Sequence, residues 1–215
     1  MNNIIGLIVS VVFIGAVLVF AKVFEKFGKE ISRKFVHIAL GNWWIIAMCF
    51  FENWIWASVL PFLFIIINYL SYKKDLISVM ERDKKDGLGT VYYAISLFII
   101  AIVTFGIVNK PEIGLCSIFI MAYGDGFAAV IGKNIKSLEY KIGDTKKSAA
   151  GSATMFFITF LILAIYLCMI NSPLWIVKSL LLSLVLTIIE AIGIKGTDNI
   201  VVPVASMILL ILVTI

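Results

Sequence analysis

Charged residues are scarce in this sequence. Asp, Glu, Lys and Arg make up 14% of its 215 residues, whereas soluble domains carry roughly a quarter. Hydrophobic residues reach 62%, and the mean hydropathy is +1.09. This composition excludes a water-soluble globular domain, and we expect a single integral membrane domain over residues 1–215.

Histidine and cysteine are scarce as well. His37 is the only histidine, and the three cysteines lie in apolar runs without metal-ligand spacing. This set excludes an ordinary zinc site, and no Ser–His–acid arrangement is evident. The cysteines are most simply small core residues. The first apolar run, from Ile4, also lacks the basic start and small-residue cleavage site of a secretory signal peptide.

Long apolar runs make up most of the chain. A helix that crosses a bilayer needs about 20 mostly apolar residues, and eight runs come close to that length. The sequence therefore predicts an all-α, polytopic transmembrane helix bundle with about eight spans and no internal repeat. The predicted spans are 4–21, 35–51, 54–70, 91–108, 113–132, 151–169, 174–194 and 199–215.

Basic residues are distributed unevenly between alternate loops. Sixteen of the 18 Lys and Arg residues follow the first, third, fifth and seventh spans, and only Lys110 and Lys178 lie toward the other side. Because basic loops stay in the cytoplasm, we expect the N-terminus outside and a prokaryotic cytoplasmic membrane as the location. The basic residues are split among short loops, which favours anionic lipids or a polyphosphate, and no nucleic acid, as partners.

One carboxylate lies inside a predicted span. Asp125 stands between Gly124 and Gly126, and Gly132-Lys133 closes the same span. A buried carboxylate is costly unless it is paired, and flanking glycines let a ligand approach closely. The carboxylate suits Mg²⁺ or a proton relay, or else an interhelical ion pair. The spacing is not that of a dinucleotide fingerprint or a P-loop.

A basic motif marks the cytoplasmic entry to the second span. On a helix, Arg33 and His37 share one face, as do Glu30 and Lys34. Arg33 and Lys34 are candidates for contacts to a nucleotide. The alternative is that the basic residues anchor lipid headgroups and that His37 is a satisfied interior histidine.

A basic, hydroxyl-rich turn precedes the sixth span. Lys146, Lys147 and Ser148 are followed closely by Gly151 and Ser152. Lysines and the N-terminus of a helix together suit a polyphosphate. The alternative is a solvated loop with a capping serine.

Two more polar segments lie on the same predicted side. Asp198 and Asn199 either cap the last helix or line a cavity with Glu190, about two helical turns away. The segment 82–90 contains two glycines before Thr90 and either presents N–H groups to a phosphate or is an ordinary loop. Acidic metal ligands, lysines and glycines at one membrane face are the parts of phosphoryl or nucleotidyl transfer.

Four motifs occur in an order that resembles the dolichol kinase and phytol kinase family of lipid-alcohol kinases. The yeast-type CTP-dependent diacylglycerol kinase belongs to this group, and phosphatidate cytidylyltransferases are more distant relatives. The resemblance covers residues 30 to 203, most of the chain. The motifs are Glu30-x-x-Arg33-Lys34-x-x-His37, Gly124-Asp125-Gly126 with Gly132-Lys133, Lys147-Ser148-x-x-Gly151-Ser152, and Asp198-Asn199-x-x-x-Pro203.

The resemblance implies a specific activity and site. It implies Mg²⁺-dependent phosphoryl transfer from CTP to an isoprenoid alcohol or diacylglycerol, with catalytic roles for Asp125, Lys147 and His37. Asp125 would bind Mg²⁺ or orient the hydroxyl, and Asp198 would complete the metal site. The implied nucleotide-binding residues are Arg33, Lys34, Gly124, Gly126, Gly132, Lys133, Lys146, Lys147, Ser148, Gly151, Ser152 and Asn199.

One departure from the family pattern leaves alternatives open. The family often has an acid before the Gly-Ser pair, where this chain has Ala150; either Glu190 or Asp198 takes that role or the activity is altered. A cytidylyltransferase is the second interpretation, although the longer C-terminal signature of that branch is missing. An ion-coupled transporter using Asp125 and Glu190 and a non-catalytic scaffold are further alternatives.

Overall fold

A computed structural model describes residues 2–74, 88–142, 145–193 and 196–215. The sequence motif at 82–87 and the basic residue Lys195 lie outside the described residues. The described chain is a bundle of helices with one β-hairpin. The elements are α1 Asn3–Phe24, α2 Lys29–Gly41, α3 Trp43–Phe50, α4 Trp54–Lys74, α5 Gly89–Ile102, α6 Pro111–Phe119, α7 Gly126–Asn134, β1 Glu139–Ile142, β2 Thr145–Ser148, α8 Ala149–Met169, α9 Trp175–Ile192 and α10 Asp198–Thr214.

The predicted polytopic helix bundle is confirmed. Six helical stretches of the described chain are long and apolar enough to cross a membrane, and they begin at Asn3, Trp54, Gly89, Pro111, Ala149 and Trp175. The other two predicted spans differ in detail. The last one is the shorter apolar helix α10, and the one predicted at 35–51 begins earlier, at Lys29, and is broken into α2 and α3. The count of eight spans stays a prediction.

The break between α2 and α3 is stabilised by Asn42. The Asn42 side-chain amide donates hydrogen bonds to the carbonyl oxygens of Ile38, at 3.3 Å, and Ala39, at 3.2 Å. Its Oδ1 accepts a 2.7 Å hydrogen bond from the Tyr123 hydroxyl. The side chain thus adds hydrogen bonds to carbonyls at the end of α2, and it joins the break to the segment that carries Asp125.

Two short π-helical segments interrupt the bundle helices. Val103–Ile107 continues α5, and Ile120–Asp125 connects α6 to α7. The stretch Pro111–Asn134 is the most enclosed of the six membrane-length stretches, with 67% of its apolar window buried against 22–50% in the others. Asp125 is therefore carried by the central helix of the bundle, on a widened turn of a kind that occurs often at functional sites.

The β-hairpin is the element that the sequence did not predict. Its strands pair antiparallel, with Tyr140 opposite Lys147. The Tyr140 hydroxyl shares a 2.5 Å hydrogen bond with Ser152 Oγ, and the Ala149 N–H donates to the Leu138 carbonyl at 2.8 Å. These contacts attach the hairpin to the first turn of α8 and place its lysines beside the end of the bundle.

Candidate active site

The centre of the site is a buried ion pair between Lys34 and Asp125. Lys34 Nζ lies 2.9 Å from Asp125 Oδ2, and both side chains are less than a tenth exposed. His37 Nε2 lies 3.5 Å from the same oxygen. The helix α2 and the π-helical segment Ile120–Asp125 pack together, so residues that are 91 positions apart in sequence meet. Pairing meets the electrostatic requirement of a carboxylate at this depth.

His37 holds the backbone that carries Asp125. His37 Nε2 lies 3.2 Å from the Met121 carbonyl oxygen. A carbonyl oxygen can only accept, so Nε2 carries the hydrogen in this contact. The Tyr93 hydroxyl donates to the His37 carbonyl at 3.1 Å, and the two rings meet edge to face at 5.1 Å. The geometry therefore assigns His37 a positioning contact to the π-helical segment, beside its contact with Asp125.

The glycines around Asp125 serve helix packing. A Cβ built on Gly124 would lie 2.7 Å from Met155 Sδ, and one on Gly126 would lie 2.5 Å from Ile38 Cγ1. Gly124 therefore lets α8 approach and Gly126 lets α2 approach. Neither glycine lines the polar cavity between Asp125 and the β-hairpin, whereas the family resemblance implies that both contact the nucleotide.

A polar cavity of about 1100 Å³, including its open mouth, lies between Asp125 and the β-hairpin. It brings together most of the residues that the sequence predicted for nucleotide binding. Asp125 and Asp198 lie on its walls with four lysine and two serine side chains. The predicted residues that line it are Lys34, Asp125, Gly132, Lys133, Lys146, Lys147, Ser148, Gly151, Ser152 and Asp198, and Glu190 joins them.

Lys147 faces the cavity from β2 and pairs with Glu190 of α9. Burial by itself lowers the pKa of Lys147, but the charge of Glu190 and those of Asp125 and Asp198 outweigh it, so the pKa lies above its ordinary value of 10.5. Lys147 is therefore a cation at neutral pH. Glu190 and Asp198, the two acids considered in place of the family's acid at Ala150, both line the cavity.

The first turn of α8 closes one side of the cavity. Ser148 caps this helix, since its Oγ accepts a 3.2 Å hydrogen bond from the Gly151 N–H and donates to the Gly132 carbonyl at 3.2 Å. A Cβ on Gly132 would lie 3.3 Å from Gly151 Cα. The glycine pair thus allows α7 and α8 to cross closely, and the N-terminus of α8 reaches the cavity, where its dipole favours an anion.

An apolar groove meets the polar cavity at Asp125. The groove runs between α2, α4 and α5 and has about 1140 Å³ of space including its mouth. Its mouth is polar and its inner part is lined by side chains such as Leu40, Phe64 and Leu97. Four residues line both the groove and the polar cavity, namely Lys34, Asp125, Gly196 and Asp198.

Two predicted nucleotide contacts lie on the groove side instead. Arg33 lines the groove and pairs with Glu30 one turn earlier on α2. Asn199 also lines it, and its amide donates to the Gly89 carbonyl at 2.9 Å. Asn68, which sequence reasoning missed, is buried in the groove wall and donates to the Thr90 carbonyl at 3.0 Å. A lone amide within the apolar run of α4 was the signal for it.

The acidic side chains fit a magnesium site of the kind completed by phosphates. Among the described residues no group of three or more His, Cys, Asp or Glu side chains converges. Asp125 and Asp198 line the same cavity, and Mg²⁺ is usually held by one or two carboxylates together with substrate phosphates and water. Within the described chain only Oδ2 of Asp125 takes part in an ion pair or hydrogen bond, so Oδ1 can bind a ligand.

Curated phytol kinases are similar to this chain in sequence. The chain is 31% identical over 204 residues to a probable chloroplastic phytol kinase of Triticum aestivum, covering 83% of this chain and 66% of that protein. It is 28% identical over 163 residues to the phytol kinase of Synechocystis sp., covering 72% and 67%, and 28% identical over 201 residues to phytol kinase 1 of Arabidopsis thaliana, covering 83% and 65%.

The chain thus spans about two thirds of the length of the curated relatives it matches. No family model matches the chain, and no solved structure matches it. The similarity extends over most of the bundle that carries Asp125 and the two adjoining spaces. The chain belongs to the dolichol kinase and phytol kinase family.

Proposed function

We propose that this chain is a membrane-embedded kinase that transfers a phosphoryl group from a nucleoside triphosphate to the hydroxyl of a lipid alcohol. The junction of the polar cavity and the apolar groove at Lys34, Asp125 and Asp198 carries this proposal. Lysines beside a helix N-terminus suit a triphosphate, and an apolar groove suits a hydrocarbon chain. A hydroxyl and a phosphate placed in the two spaces would meet at the junction.

The acceptor class follows from the relatives. They are named phytol kinases, so the proposed acceptor is an isoprenoid alcohol such as phytol or geranylgeraniol. CTP as the donor and Mg²⁺ as the metal are part of the proposal through the family resemblance. Asp125 and Asp198 would hold the ion, which when bound would neutralise charge on the phosphates.

The proposed chemistry is a direct transfer. The alcohol oxygen attacks the terminal phosphorus, a new P–O bond forms, and the bond to the bridging oxygen of the nucleoside diphosphate breaks. The hydroxyl proton ends on a phosphoryl oxygen of the lipid monophosphate, and the second product is the nucleoside diphosphate. Lys147 and Lys34 offset the negative charge that spreads over the phosphoryl oxygens in the transition state.

Lys147 can bind the phosphates only if its ammonium group leaves Glu190 or contacts Glu190 and a phosphate oxygen at the same time. The pair keeps Lys147 protonated at the cavity wall, and the carboxylate of Glu190 would remain nearby as its counter-charge. His37 supports the reaction by fixing the Met121 carbonyl, which holds the turn that presents Asp125. We place the site at the cytoplasmic face because the hairpin and α2 motifs carry the excess of basic residues.

The proposal is tested by a matrix of nucleotides and lipid alcohols. Purified protein in lipid nanodiscs is incubated with Mg²⁺ and γ-labelled CTP or ATP, and with phytol, geranylgeraniol, a polyprenol or diacylglycerol. We expect labelled lipid monophosphate with CTP and an isoprenoid alcohol. Asp125→Asn should lower the rate by about 10²-fold or more, whereas Glu112→Gln, at the far end of α6, serves as the matched carboxylate control and should not change it.

Two results would contradict the proposal. Absence of labelled lipid for every nucleotide and acceptor would exclude a lipid-alcohol kinase. Full activity of the Asp125→Asn variant would exclude the junction as the catalytic site.

A further inference from the structure

One fixed aromatic side chain lines the apolar groove about nine residues from Lys34. Trp43 is the groove-lining residue of the α2–α3 segment that lies farthest along the chain from Lys34, and it is only 3% exposed. Its Nε1 donates a 2.9 Å hydrogen bond to Ser10 Oγ of α1. The indole also contacts Trp44 and Phe51, with ring centroids 6.3 Å away in each case. The indole is thus held by contacts on more than one side.

Two walls of the groove, α2–α3 and α4, give it a similar depth. On α2–α3, Lys34 at the mouth and Trp43 at the end are nine positions apart, which is about 13 Å at the helical rise per residue. On α4, the eight positions from Asn68 to Leu60 span about 12 Å. An extended hydrocarbon advances about 1.25 Å per carbon–carbon bond, so the groove accommodates about ten chain carbons.

The inner part of the groove is lined mainly by hydrocarbon side chains. Leu40, Leu60, Phe64 and Leu97 line it below the level of Asn68. The groove also includes Ile14 of α1, and the neighbouring Val11 of α1 and Leu63 of α4 are exposed apolar residues. Apolar side chains of α1 and α4 thus lie next to the groove and at the lipid-facing surface, so we expect a longer chain to leave the groove on this side.

We propose that Trp43 determines how much of the acceptor chain this protein recognises. Building on the proposed function, the groove binds about the first ten chain carbons from the hydroxyl, which is between two and three isoprene units, and the indole turns the rest of a longer chain toward the bilayer. Carbons inside the groove contribute to binding, and carbons beyond it exchange one apolar environment for another and contribute little.

The test is a series of isoprenoid alcohols of one to five isoprene units. For the unaltered protein we expect kcat/KM to rise by about tenfold or more from one unit to two and to stay within about twofold from three units to five. Trp43→Ala lengthens the groove, so four units should become better than three by about fivefold. Trp56→Ala, on α4 outside the groove, is the matched control and should keep the original profile.

A milder variant protects the test against misfolding. Ser10→Ala removes the hydrogen bond to the indole and retains its bulk, so it should shift the profile in the same direction by a smaller factor. Absence of turnover with every alcohol would overturn the proposed function itself. Active protein whose kcat/KM keeps rising steeply from three units to five, or Trp43→Ala protein with an unchanged profile, would overturn the role of Trp43 and leave the kinase assignment standing.

Discussion

At the scale of single residues, Lys34 and Asp125 have both a structural and a chemical role. They form a buried ion pair, and they also line both spaces that meet at the site. Removing one partner of a buried pair leaves an uncompensated charge, whereas replacing both partners with apolar groups is often tolerated. The two roles can therefore be separated by mutation.

Lys34→Met is expected to lower the free energy of unfolding by about 3 kcal/mol, because Asp125 stays buried without its cation. The double variant Lys34→Met/Asp125→Leu should recover most of that loss and remain inactive. Chemical or thermal unfolding together with the transfer assay measures both effects. Arg33→Met is the control, because its partly exposed pair with Glu30 should contribute less than about 1 kcal/mol. A double variant as unstable as the single one would contradict this assignment.

Glu190 is expected to control the pH range over which Lys147 binds phosphate. Because the pKa of Lys147 is raised, its favourable contribution to nucleotide binding is complete below pH 10.5, its ordinary pKa. The contribution is lost only as the pH rises through the still higher pKa in the folded protein. Nucleotide binding should therefore not weaken through Lys147 between about pH 7 and pH 9.5. Glu190→Gln removes a charge that raises the pKa of Lys147, so the lowering effect of burial on this pKa is less opposed. Nucleotide binding should then weaken as the pH rises across that range.

Titration of nucleotide affinity against pH checks this prediction. Glu112→Gln should follow the unaltered protein. Parallel pH profiles for Glu190→Gln and the unaltered protein would show that Glu190 does not set the charge of Lys147.

At the scale of elements, the π-helical segment and its neighbouring glycines determine where Asp125 points. The segment Ile120–Asp125 contacts α2 and α8, and Gly126 removes the bulk that would keep α2 away. An added methyl group in such a contact forces a shift of the helices. Both the stability of the bundle and the geometry of Asp125 should respond to that shift.

Gly126→Ala is expected to destabilise the protein by about 1–3 kcal/mol and to reduce transfer, since its Cβ would lie 2.5 Å from Ile38. Gly15→Ala in α1 is the matched control, because no atom lies within 4 Å of its added Cβ, and it should be neutral or stabilising by about 0.5 kcal/mol. Unfolding measurements on both variants check the difference. Equal effects of the two substitutions would contradict the packing role of Gly126.

The sequence predicted the helices but not the way in which they are interrupted. Hydropathy located the apolar runs, and the charge of Asp125 marked the central one. The break at Asn42 depends on Tyr123, 81 positions away, and no local proline announces it. The pairing of Lys147 with Glu190 is also a long-range contact. For the same reason, local patterns placed Gly124 and Gly126 at a ligand, whereas tertiary packing uses them between helices.

At the scale of the whole molecule, the two exceptions to the charge asymmetry have a structural explanation. Lys110 Nζ donates to the Thr214 carbonyl at 3.4 Å, and Lys178 Nζ donates to the Val213 carbonyl at 3.2 Å. Both cations therefore neutralise the C-terminal end of α10. The remaining basic residues are consistent with the predicted orientation, in which the hairpin lies in the cytoplasm.

Single cysteines introduced into a variant without the native cysteines test this orientation. A cysteine at Lys136, beside the hairpin, should react with a membrane-impermeant maleimide only in inside-out vesicles. A cysteine at Asn171, between α8 and α9, should react only in right-side-out preparations. The reverse pattern would contradict the predicted orientation and move the proposed site to the outer face.

The most direct test of the junction at Asp125 follows the phosphates of the donor separately. CTP carrying different phosphorus isotopes at its α and γ positions is turned over with Mg²⁺ and phytol or geranylgeraniol. Direct transfer at the junction predicts that only the γ label enters the lipid, in equal amount to the nucleoside diphosphate formed, and that Asp125→Asn lowers this transfer by about 10²-fold or more. Entry of the α label into lipid, or release of the γ label only as inorganic phosphate, would contradict it.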